Sequence, residues 1–225
     1  QGNRGVAGVG SFVKPAFLWS LTVRYPPFFD AVPRVRLRDP LAEFLGAMDD
    51  GVIEYCYLDA VRLAGHSCPT VAGAYGLTRA ALGALYGAAM AERGAVRVSL
   101  REEAAAGVAG VVASVVSLLT GASGEAGFKG LAGRFERRGL LSFGVEQDFE
   151  LRFSRRDNGA CVEASVRLQA VPPDPQMMPL MQRCLAGDAD GESRQLFAGL
   201  WQDRVRRILL EHGDDSEVFV IRHRD

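Results

Sequence analysis

The sequence predicts an α+β domain, and a change of period along the chain carries that prediction. Before Leu140 the apolar residues recur mostly at helical spacing or in small-residue runs; after it they alternate at every second position. Asp157-Asn158-Gly159 separates two such runs, LLSFGVEQDFELRFSRR and ACVEASVRL, and marks a hairpin because Asn-Gly tolerates the positive φ angles of a tight turn. The expected architecture is an antiparallel sheet packed by helices in a core over residues 51–170. An N-terminal extension (1–50) packs on that core and a helical segment (171–225) follows it.

Each element has a local cause. Pro26, Pro27, Pro33 and Pro40 prescribe an extended lead-in and then a short helix near Leu41–Met48. In GVIEYCYLDAVRLAG, Val52, Tyr55, Leu58, Val61 and Leu63 fall near helical spacing, which fits a helix or a strand-to-helix passage. Pro69 suits the first turn of a helix, where its missing N–H has no intrahelical partner to lose, and predicts a helix over Pro69–Gly87. Ala72, Gly73, Gly76, Ala80, Gly83 and Ala84 cover much of that helix with small side chains. Each glycine costs about 1 kcal/mol relative to alanine, so a closely packed partner is expected. Val96, Val98 and Leu100 alternate within Ala95–Glu102 as a half-buried strand, and a helix over Ala104–Leu119 leads into a glycine-rich loop, GASGEAGFKGLAGRF. The rigid connector VPPDP precedes two terminal helices, the second with Leu196, Phe197, Leu200, Trp201, Val205, Ile208 and Leu209 on one stripe.

Bulk composition bounds the function classes. At 225 residues, 48% hydrophobic and 24% charged, the chain can bury a substantial core, and a net charge of −1 gives no argument for nucleic acid. Only Lys14 and Lys129 are lysine; every other basic residue is arginine. The four cysteines form no CxxC pair, so a reducing, cytoplasmic setting is expected. The leading QGNRG is set aside from fold reasoning. Ala104–Leu119 falls short of the ~20 apolar residues that span a bilayer, so a buried helix and no membrane association are expected.

Few residues carry candidate chemistry. His66 and Cys68, in GHSCP, combine imidazole and thiol where a loop enters a helix, a place where the dipole favours a thiolate. They suit a metal ligand pair or a nucleophile, or else a packed histidine and an inert cysteine. In GASGEAGFKG the lysine is displaced from the P-loop position by Phe128, which rejects a nucleotide P-loop. Its glycines, with Glu125, Phe128 and Lys129, could still line a pocket. Arg134, Arg137, Arg138, Arg152, Arg155 and Arg156 read as a solvated charged face, interrupted by Glu136, Glu150 and Asp157. No G-x-S-x-G elbow supports serine catalysis.

GHSCP, the segment SLLTGASGEAGFKGL (Ser117–Leu131) and the strand RRGLLSFG (Arg137–Gly144) together resemble the FmdE-like family, named after a component of formylmethanofuran dehydrogenase, over roughly Val52 to Val166. The resemblance implies an α+β core in an intertwined homodimer. It also implies a divalent metal, most often zinc, held by residues corresponding to His66 and Cys68. Val111, Ser114, Ser117 and Ala122 stand where the family often has cysteines, which implies a sparser His/Cys site. The expected function is therefore a metal-binding protein with a small-molecule pocket, an enzyme or accessory protein of C1 or redox metabolism. Phe128 and Lys129 would contact the ligand, and Glu54, Tyr57, Asp59 or Lys129 would serve in proton transfer. The alternative is a haem or metal carrier or sensor, with His66 as the metal ligand and Met177, Met178 and Met181 nearby.

Overall fold

The helix that Pro69 starts organises the molecule. In a computed structural model describing residues 23–224, it runs Pro69–Tyr86 and every residue from Val71 to Thr78 is buried. A helix segment apolar on all sides must be covered on all sides, and Val71–Thr78 is. The expectations for residues 1–22 lie outside the described residues.

The chain begins with a short strand β1 (Val35–Arg38), a one-turn helix α1 (Pro40–Phe44) and a second strand β2 (Val52–Tyr55). Helices α2 (Tyr57–Ala64) and α3 (Pro69–Tyr86) follow, then β3 (Ala91–Glu92), β4 (Val96–Leu100), α4 (Ala109–Thr120) and β5 (Leu141–Ser142). The hairpin strands β6 (Leu151–Arg155) and β7 (Cys161–Val166), the helices α5 (Met177–Ala186) and α6 (Gly191–Arg206), a π turn (Arg207–Glu211) and β8 (Phe219–Arg224) complete it. One sheet has the order β2-β1-β3, the other β5-β4-β6-β7-β8. Pairing is antiparallel except for β1 with β3 and β4 with β5. The α+β class expected from the sequence is the one found.

Register explains the layers. Leu151 opposes Ala164, Phe153 opposes Val162, and Val166 opposes Phe219, so these apolar side chains share the face that α3 covers. The small-residue surface of α3 meets its partner here. A Cβ on Gly76 would lie 2.5 Å from the Phe219 ring and one on Gly73 3.4 Å from Val166, so glycine lets the helix sit down on β7 and β8. The opposite face carries Glu163, whose side chain is only 1% exposed beneath three arginines. Arg152 and Arg224 approach it at 3.0 and 2.8 Å, and Arg222 also pairs with it. The hydrogen bond from Arg222, opposed by burial and reinforced by Arg152, holds its carboxyl down at about 2.

Several local expectations shift. The helix expected from Ala104 starts at Ala109, because Gly107 adopts φ 48° and the chain turns before it. The short helix expected to reach Met48 ends at Phe44, with Gly46 at φ 65° just beyond. The hairpin forms, but only Gly159 has positive φ; Asn158 instead accepts a side-chain hydrogen bond from Ala160 N at 3.0 Å, in a longer loop. The C-terminal segment contributes β8 as well as helices. Among the described residues, no helix is long and apolar enough to cross a membrane.

Candidate functional site

GHSCP is a junction. Gly65 ends α2 in the left-handed region (φ 75°), and Cys68 caps α3, its Sγ accepting from Val71 N at 3.4 Å. The cysteine is buried in the core, whereas the His66 ring is exposed, with Nδ1 donating to the Ala64 carbonyl at 2.9 Å. Ser67, between them, is the anchor. Its hydroxyl lies 3.0 Å from both Tyr57 Oη and Gln202 Oε1, and its carbonyl accepts from Trp201 Nε1 at 3.0 Å and Gln202 Nε2 at 3.2 Å. The motif thus fastens α6 to the core.

This overturns the metal expectation. Among the described residues, no group of three or more His, Cys, Asp or Glu side chains could hold a metal ion. The zinc-site, metal-carrier and haem readings built on His66 and Cys68 fall with it. The physical reason is orientation: the histidine faces solvent, the thiol serves as a helix cap in the core, and among the described residues no third ligand converges on them.

The other sequence candidates are dispersed. Glu54 pairs with Arg34 at 2.8 Å on the edge strand β2. Tyr57 is fully buried, and burial pushes its phenol pKa far up. Asp59 accepts from Cys56 N at 2.9 Å, completing the cap of α2. Lys129 is exposed, while Phe128 lines a cleft with Ser117 and Ser123.

Two sites with chemistry lie instead at the two ends of α4. At its N-terminal end, α3, α4 and the sheet line a partly open cavity of about 170 Å³. Its walls are apolar, with Ala74, Leu77, Val108, Val112, Leu151 and Val166 among them. Thr70, Gln169, Glu102 and Glu150 supply its polar groups. Glu150 Oε2 accepts from Val166 N at 3.0 Å, which fixes that carboxylate at the wall. Among the described residues, no basic residue lines the cavity.

At the C-terminal end, Asp39 is buried between arginines. Its Oδ1 caps α1 through Leu41 N (2.9 Å) and accepts from Arg137 Nη2 (2.7 Å); its Oδ2 accepts from Arg93 Nη1 (2.8 Å). Arg93 continues to the last turn of α4, donating to the Leu118 carbonyl at 2.9 Å and the Leu119 carbonyl at 3.3 Å. Burial alone would raise the Asp39 pKa, but the Arg93 hydrogen bond, the Arg137 charge and the Leu41 N–H together hold it below its ordinary value. Arg137, read from sequence as part of a solvated face, is buried because Asp39 gives it an internal counter-charge.

Sequence reasoning missed Asp39, Arg93, Glu102 and Glu150. Asp39 alone had a signal, standing just before Pro40 at a helix start. What these features define is an α+β protein with a carboxylate-bearing apolar cavity at one end of α4 and a buried carboxylate between arginines at the other. No family model matches the chain, and a search of curated proteins finds no similar one.

Proposed function

We propose that this protein binds a small molecule that combines a compact apolar group with a positively charged nitrogen, in the cavity at the N-terminal end of α4. The observation that carries this is the apolar lining joined by two carboxylates, Glu102 and Glu150, with no arginine or lysine among the described residues that line it. A void of about 150 Å³ with apolar walls accommodates benzene, so a phenyl or branched alkyl group fits the 170 Å³ here. The ammonium would sit at the wall where Glu102 and Glu150 supply charge-assisted acceptors.

Calorimetric titration with benzylammonium, toluene and benzoate tests it. Benzylammonium is expected to bind saturably and benzoate not at all. Glu102→Gln combined with Glu150→Gln should weaken binding about tenfold or more. Benzoate binding as tightly as benzylammonium, or the absence of any binding, would reject the proposal.

Membership in the FmdE-like family is part of the same reading, without the metal. It rests on the motif order alone: GHSCP at the start of α3, Leu119-Thr120-Gly121 at the end of α4, and β5 beyond. A homodimer and a cytoplasmic setting belong to it, the latter supported by four unpaired thiols. A single-chain mass by light scattering would refute the dimer.

A further inference from the structure

Arg93 and Arg137, the two arginines paired with Asp39, line a second cleft of about 420 Å³, whose wall residue Gly94 donates to the Thr120 carbonyl at the C-terminal end of α4. Five arginines line it, Arg38, Arg93, Arg134, Arg137 and Arg156, with Glu92 and Glu136 as the acidic members. Their existing partners show how much positive charge is left over. Arg38 is matched by Glu43 and Glu92, and Arg93 and Arg137 share the single carboxylate of Asp39. Among the described residues, Arg134 stacks over Phe135 at 4.7 Å and Arg156 donates to the Gly94 carbonyl at 2.9 Å, and neither has a carboxylate partner. Glu136 is occupied by Arg138, outside the cleft.

A second, independent observation comes from Arg137. Its side chain is 8% exposed, and its Nη1 is buried with no hydrogen-bond partner among the described residues. Such a group costs free energy unless something accepts from it. Nη1 lies over Gly94 in the cleft wall, where φ is 82° and a Cβ would overlap the guanidinium. Glycine at this position makes the room that the guanidinium itself fills.

We propose that this cleft is a binding site for a doubly charged oxyanion carried on a small organic body: a phosphate monoester or a dicarboxylate. Guanidinium groups match both geometries in a planar, forked arrangement. The volume falls within the ordinary range for ligand sites, about 300–1,000 Å³, and so leaves room beyond the anion itself. Arg137 would contact the anion from the floor, and Arg134 and Arg156, both exposed, would close on it from the rim.

The test uses the full chain with phenyl phosphate, inorganic phosphate and succinate as probes, and sodium chloride at matched ionic strength as the control, read by calorimetry. Saturable one-to-one binding of phenyl phosphate or succinate is expected, weakened about tenfold by Arg134→Gln and again by Arg156→Gln. Both are surface substitutions that leave the floor intact. Arg137→Lys keeps the charge but loses the fork, and should weaken binding at least as much. Tighter binding of phenyl phosphate than succinate assigns the site to phosphate esters, and the reverse order to dicarboxylates; either supports the site. A response that chloride reproduces, or binding unchanged in both rim variants, would overturn it.

Discussion

The two ends of α4 are built from opposite charges and treat them differently. At the C-terminal end the arginines are tied to an internal carboxylate, Asp39, and to the last carbonyls of the helix. At the N-terminal end Glu102 and Glu150 line an apolar cavity that no basic side chain among the described residues enters. The helix macrodipole favours both placements, anions near the N-terminus and cations near the C-terminus, by about 0.3–1 kcal/mol each. The difference lies in what the charge is used for. Asp39 holds structure together, whereas in the proposed site the cavity carboxylates would face a ligand, Glu150 through the oxygen that Val166 N leaves free.

Substitutions should separate these roles. The largest effect is expected for Asp39→Asn, which leaves two buried or part-buried arginines sharing a neutral amide. Breaking a buried pair in this way costs about 3–5 kcal/mol, measurable as a lower urea midpoint. A loss under 1 kcal/mol, as for a surface pair, would erase the contrast between the two ends.

Glu163 extends the comparison to a fourth carboxylate, one covered by arginines on the far face of the sheet. Glu163→Gln should cost about 1–3 kcal/mol. Its folded pKa is depressed, from 4.5 to about 2, so its contribution is fully present above about pH 4.5 and is lost as the pH falls toward 2. Asp39, also depressed, acts with the same sign. Acid unfolding followed by circular dichroism should therefore be shallower in Glu163→Gln than in the wild type. An identical pH profile would show that the three arginines do not stabilise the charged form.

The smallest stability change belongs to the cavity. Glu102→Gln and Glu150→Gln should each shift unfolding by no more than about 0.5 kcal/mol, because the glutamine at position 150 still accepts from Val166 N. A loss of several kcal/mol in thermal melts would mean that these carboxylates are structural after all.

Helix α3 was legible because Pro69 marked its start and its run of small residues demanded a close partner. The hairpin was legible from Asn158-Gly159, although the turn is longer than the dipeptide suggested. Strand β8 was not: Phe219, Val220 and Ile221 form a short apolar run among charged residues, with no alternation to mark a strand. At GHSCP, residue types suggested a ligand pair, but a sequence carries no orientation, and the backbone sends His66 outward and Cys68 inward. The arginine cleft was illegible for a different reason. Asp39 and Arg137 stand 98 positions apart, and no local spacing announces that they meet.

The position of β8 has a consequence for synthesis. Two of the three cations over Glu163, Arg222 and Arg224, belong to the strand that leaves the ribosome after every other strand described here. Until it emerges, β7 presents an open edge with an under-compensated carboxylate, and the Gly76 surface of α3 lacks the ring of Phe219. Nascent chains stalled before this strand should therefore be held in a protease-sensitive form, and closure of the sheet should await its release.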